Sequence, residues 1–134
     1  MKKRIIGIII AALGLLLAIG PRFLFKVCEY RPQLTMICHW TAQAEIGIGA
    51  TIAFLGIALF IFTDLKIQLG LSIGILISGI NAILIPNVLV GGCRMDTMPC
   101  FTTAYPAITV ISILLLVVVL FHILFIFRKI SKGN

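Results

Sequence analysis

The sequence predicts an all-α membrane protein: a bundle of four transmembrane helices, built as two parallel helix–loop–helix repeats with both termini cytoplasmic. Three observations predict it. Of 134 residues, 61% are hydrophobic and only 11% charged, with a mean hydropathy of +1.23, whereas a soluble domain is about half apolar and about a quarter charged. The apolar residues form four long runs, Ile5–Gly20, Ala42–Phe62, Ile67–Val90 and Tyr105–Phe127. The net charge of +7 gathers at the ends of those runs, where Lys and Arg set orientation, and forms no patch for nucleic acid. A water-soluble enzyme, a nucleic-acid binder and a disordered tail are excluded. The chain reads as one integral membrane domain, 1–134, whose first partner is the lipid bilayer.

The first run has 16 residues before Pro21, enough for about 24 Å of a hydrocarbon core about 30 Å thick. Phe23, Leu24 and Phe25 extend it into the interface, with Arg22 snorkelling between them. Lys2, Lys3 and Arg4 also resemble the basic start of a signal peptide. No small-x-small cleavage site leads into a soluble start, however, and three more spans follow, so a retained span is expected. Those spans have 21, 24 and 23 residues, each sufficient for a crossing. Gly7, Ala11, Gly14 and Ala18 in the first span, and Gly49, Ala53 and Gly56 in the second, allow close helix approach. In the third, Gly70, Gly74, Ser78 and Ala82 recur every four residues and are expected to share one face, and Pro86 should bend its outer end. The fourth lacks glycine and should show more surface to lipid.

With the termini inside, the inner segments carry seven Lys and Arg residues and the outer loops, 21–41 and 91–104, carry four. Basic residues favour the cytoplasmic side. All four cysteines, Cys28, Cys38, Cys93 and Cys100, then fall outside, where disulfides persist. The segments Met36–Ala42 and Met98–Ala104 share Met-x-Cys-x-x-Thr-Ala at the same place in each half. That pattern supports a parallel repeat about an axis along the membrane normal.

Three chemistries are open to the loops. Cys28 with Cys38, and Cys93 with Cys100, can staple each loop, each bond adding about 2–3 kcal/mol by loop closure. Four cysteines allow three pairings, and spacing does not choose among them. The same four could instead exchange disulfides in the manner of quinone-linked disulfide-forming enzymes. Those use a close Cys-x-x-Cys pair, and the chain has none. Met36, Met95 and Met98 each lie within two residues of a cysteine, and with His39 they make a soft set suited to Cu(I) or haem iron. Methionine packing against disulfides explains the same placement without a metal.

His39, Gln43 and Glu45 stand at the outer end of the second span, His39 and Gln43 one turn apart on a common face. Glu45 lies inside the hydrocarbon, where an ionisable residue is costly and faces the bundle interior. Asn81 of the third span could reach its depth and bond it. His122 is expected at the cytoplasmic interface, with Trp40, Tyr30 and Tyr105 in the outer aromatic belt.

The run Met36-Ile37-Cys38-His39-Trp40-Thr41-Ala42-Gln43-Ala44-Glu45-Ile46-Gly47, with Cys93, Met98-Pro99-Cys100, Thr103 and Pro106, resembles the signature of a family of small bacterial four-span proteins grouped as a domain of unknown function. The resemblance covers essentially the whole chain. It implies a bacterial cytoplasmic-membrane protein and an accessory role beside export-type ABC transporters, and it supplies no activity. The leading expectation is a non-enzymatic binding or accessory protein without a cofactor, whose ligand or partner meets His39, Gln43, Glu45 and Asn81. A quinone-coupled thiol–disulfide oxidoreductase and a copper or haem protein are the alternatives.

Overall fold

A computed structural model describes residues 2–23, 37–89 and 105–133. These residues form four helices and, among the described residues, no strand. They are α1 (Lys2–Phe23), α2 (Ile37–Ile61), α3 (Leu65–Leu84, continued by a π-helical turn, Ile85–Leu89) and α4 (Tyr105–Lys132). Three helices are long and apolar enough to cross a membrane, while the apolar part of α1, Arg4–Gly20, is shorter. The described residues are nearly all helical, and the chain is a multi-pass membrane protein.

The helices overrun the expected spans in three places. α1 continues through Pro21 to Phe23, because a proline so near a helix end removes one hydrogen bond without breaking a following turn. α2 begins at Ile37, so the Cys-His-Trp-Thr run is helical and not loop, and it holds Trp40 exposed at the interface. No Gly or Pro interrupts Ile37–Thr41, and a helix satisfies the backbone groups entering the bilayer. α4 runs five residues past Phe127 on Arg128, Lys129 and Lys132, cations that suit a helix C-terminus.

Between α2 and α3 only Phe62–Asp64 intervene, and Gln68 closes this turn. Its Nε2 donates to Phe62 O at 3.0 Å, while its backbone N–H donates to Asp64 O at 2.9 Å. Pro86 acts as a register change: without its N–H the α-ladder gives way to the π-turn. Asn87 Nδ2 then donates to Ile83 O at 2.8 Å.

The closest approach is between α1 and α2, which run antiparallel. A Cβ on Gly14 would stand 2.6 Å from Ala53 N, and one on Gly56 2.6 Å from Ala11 N, while one on Gly49 would meet Ala18 N closer still. The small residues of the first two spans therefore work as expected. Those of the third do not share a face. Gly70 is exposed, Gly74 and Ser78 are half-buried and Ala82 is buried, because every fourth residue overshoots a 3.6-residue turn by about 40°. The glycine α3 uses against α4 is Gly79, which sequence reasoning missed; a Cβ there would meet Leu115 Cδ2 at 3.0 Å. Ile10, Leu17, Ile52, Leu59, Ile75, Ile108, Leu115 and Val119 fill the core. α4 exposes Val110, Leu114, Val117, Phe121 and Leu124, but it is buried to the same share as α3, so its lack of glycine does not set it apart.

Candidate functional site

The inner faces carry polar side chains at two levels. Toward the end where α2 and α4 begin, Glu45 is 0% exposed, and neither carboxyl oxygen has a hydrogen-bond partner. Thr41, one turn before it on the same face, is also buried. On α4, Ser112 is buried with Oγ unpartnered. The two residues share a level. From the contact of Leu55 with the Gly74 position, Glu45 stands about 15 Å along α2, and Ser112, reached through Gly79 and Leu115, stands about 12 Å along the same axis. Ile108 and Ala82 are buried nearby in sequence on α4 and α3.

Buried polar atoms in folded proteins nearly always have a partner, so each one without needs a cause. Here two oxygens on Glu45 and, across the interior on α4, one on Ser112 lack a partner, at depths within about 3 Å by helical rise. Such a set can accept a proton, a water, or a small cation or ammonium group. Among the described residues no three His, Cys, Asp or Glu side chains converge as they would for a transition metal.

Toward the other end lies a second cluster, formed by Gln68, Ser72 and His122, all buried. Ser72 Oγ donates to Gln68 O at 2.7 Å and lies 3.0 Å from His122 Nδ1. A hydroxyl has one proton to give, so with that proton on Gln68 O the histidine must donate from Nδ1. His122 is thus not interfacial. Ser72 offers an acceptor inside the bundle, and the ring turns inward to meet it. Dry side chains, Ile52, Ile75, Leu115 and Val119, separate the two clusters.

The residues expected to act together are dispersed. Glu45 faces inward, Gln43 is exposed on the opposite side of α2, and Asn81 is exposed on α3. The Glu45–Asn81 bond does not form, since Glu45 has no partner. His39 belongs to the first turns of α2, with its side chain outside the described atoms. The same holds for Cys38. Cys28, Cys93, Cys100, Met36, Met95 and Met98 lie outside the described residues, and with them the disulfides and the soft-ligand set. Ser72, Gln68 and Ser112 went unnoticed in the sequence. The signal that could have found them is the 3–4 spacing of polar and small residues, Gln68, Ser72, Gly79 and Ala82, within an otherwise uniformly apolar run.

Neither a curated protein nor a solved structure is detectably similar to this chain. One family does match, over residues 9–126, and that match takes in all of α2, α3 and the polar clusters between them. The chain belongs to the family described as Domain of unknown function (DUF4418).

Proposed function

We propose that the protein is a non-enzymatic binding and accessory subunit of a bacterial cytoplasmic membrane, which holds a small cation or protonated amine at Glu45. The observation that carries this is the fully buried carboxyl group with both oxygens unpartnered. A bare carboxylate in hydrocarbon is expensive, and a cation brought to it meets an acceptor already stripped of water. Ser112 Oγ is unpartnered at about the same depth on α4, and Thr41 is buried one turn from Glu45 on the same helix face.

The setting of the site follows from the same reading. α1 joins α2, α3 and α4 as a fourth span, and both termini face the cytoplasm, in keeping with seven inner basic residues against four outer ones. Glu45 then opens toward the outer face. The α1–α2 and α3–α4 hairpins are parallel repeats, in keeping with their shared Met-x-Cys-x-x-Thr-Ala segments. Disulfides Cys28–Cys38 and Cys93–Cys100 staple the two outer loops, which present the site to a partner. The family resemblance points to an export-type ABC transporter as that partner.

The test is thermal unfolding of the full chain in lipid, titrated with sodium, potassium or methylammonium at constant ionic strength. Wild type should be stabilised by at least one of these cations, and Glu45→Gln, which keeps shape and polarity, should not respond. Equal responses of the two proteins, or none in either, would overturn the cation site.

A further inference from the structure

Asn81 is a polar side chain facing the wrong way. It is exposed, and among the described residues no hydrogen bond engages its side-chain amide. It stands about 24 Å along α3 from Leu65 and about 12 Å from the end of the π-turn at Leu89, so water cannot reach it easily from either end. Polar residues at such depth turn toward a protein partner, where an interhelical hydrogen bond replaces water. Within its own bundle Asn81 has none.

The surface around Asn81 is shaped for a helix. At 3.6 residues per turn, Gly70, Gly74, Ile77 and Asn81 fall within about 60° of arc on α3. Gly70 and Ile77 are exposed with Asn81, and Gly74 is half-buried. The chain's own packing does not require these glycines. A Cβ on Gly70 would meet nothing within 4 Å, and one on Gly74 only Leu55 Cδ1 at 3.7 Å. Gly14, Gly49 and Gly56, by contrast, lie against the backbone of a neighbouring helix. Glycine weakens a helix interior, so Gly70, outward-facing with no contact to serve, and Gly74 beside it, where a Cβ would fit against Leu55 without a clash, imply that something approaches closely. Gly47 on α2 has similar space, but its face leaves no buried donor unmet: Thr51 Oγ1 donates to Gly47 O at 2.9 Å, and Gln43 lies near the headgroups.

We infer that α3 is a dimerisation helix, packed through Gly70, Gly74 and Ile77 against α3 of a second copy, with the Asn81 amides of the two copies bonded to each other. The chemistry selects the occupant. A carboxamide both donates and accepts, so it is its own complement. A two-fold axis along the membrane normal brings equal depths of two copies together, which is what an Asn81–Asn81 bond requires. A single polar residue at a helix contact also fixes register and oligomeric state. The inference stands apart from Glu45, which faces the opposite side of the bundle wall.

Full-length protein, tagged with a fluorophore at its C-terminus and reconstituted in lipid vesicles, tests this by subunit counting over a range of protein-to-lipid ratios. Wild type should be dimeric. Asn81→Leu and Gly70→Leu should each weaken association about tenfold or more, Asn81→Gln should retain it, and Gly47→Leu should match wild type. Both test positions face outward, so the variants should unfold like wild type, which a melt in the same vesicles checks. Monomeric wild type at every ratio overturns the inference, whether or not another membrane protein co-purifies. A dimer indifferent to Asn81→Leu overturns it equally.

Discussion

At the scale of single residues, Glu45 and the Ser72–His122 pair differ in how well they are satisfied, and this separates ligand from scaffold. Glu45 has two orphaned oxygens, so nothing in the bundle repays the cost of its burial. Glu45→Leu should therefore raise the resistance to thermal unfolding in lipid by a few degrees while abolishing any response to cations. A destabilised Leu variant would mean that the carboxyl group serves the fold. Ser72 and His122, by contrast, are bonded. A double-mutant cycle of Ser72→Ala and His122→Ala, measured by unfolding in mixed micelles, should give a coupling of about 1 kcal/mol. Additive losses would show that the two side chains do not interact. The sequence made the burial of Glu45 legible, because an acid inside an apolar run has few other places to go. It misled on Asn81, because depth can be counted along a helix but direction cannot when every face is apolar. It misled on His122 for want of Ser72, which lies 50 positions away in the chain.

At the scale of elements, lipid removes the hydrophobic drive between helices, so backbone proximity decides which faces meet. α1 and α2 meet through Gly14, Gly49 and Gly56 on one side and Ala11, Ala18 and Ala53 on the other. Gly49→Ala would drive a Cβ into the backbone of α1 at Ala18 and to within 2.9 Å of Gly14 O, and no flexible side chain is there to yield. It should cost about 1–3 kcal/mol of unfolding free energy. Gly47→Ala, two residues earlier in open space, should gain about 0.5–1 kcal/mol from helix propensity. Unfolding both in parallel checks the contrast, and similar effects would mean that the helices do not touch there. These two helices were legible because their small residues fall at mixed three- and four-residue spacings, which hold one face. The strict fourfold spacing of α3 winds from lipid to core, and Gly79, off that spacing, does the packing.

At the scale of the whole molecule, the helices form a closed up-and-down arrangement. α1 and α2 run antiparallel through the facing pairs Gly7–Phe60 and Ala11–Gly56, and α3 and α4 through Ser72–His122 and Gly79–Leu115. The three-residue turn Phe62–Asp64 makes α2 and α3 antiparallel too, so both chain ends lie at one end of the bundle. The basic residues then predict the orientation. Arg4 sits 6.0 Å over the ring of Phe60 at that end, beside Lys66, Arg128, Lys129 and Lys132, while Glu45 lies toward the other end. A basic excess holds its end on the cytoplasmic side. The short apolar part of α1, Arg4–Gly20, is the weak point of this scheme, since failure of α1 to cross would put the N-terminus on the same side as the α1–α2 loop. The two loops, two crossings apart, report one side together, and the N-terminus reports α1. After mild reduction of intact cells, an impermeant maleimide should modify Cys28, Cys38, Cys93 and Cys100 alike. Without reduction it should modify none of them, as the proposed Cys28–Cys38 and Cys93–Cys100 disulfides require. Labelling of both loops, with an N-terminal tag also reached from outside in intact cells, would show that α1 does not cross. Protection of both loops until lysis would reverse the orientation and turn Glu45 toward the cytoplasm.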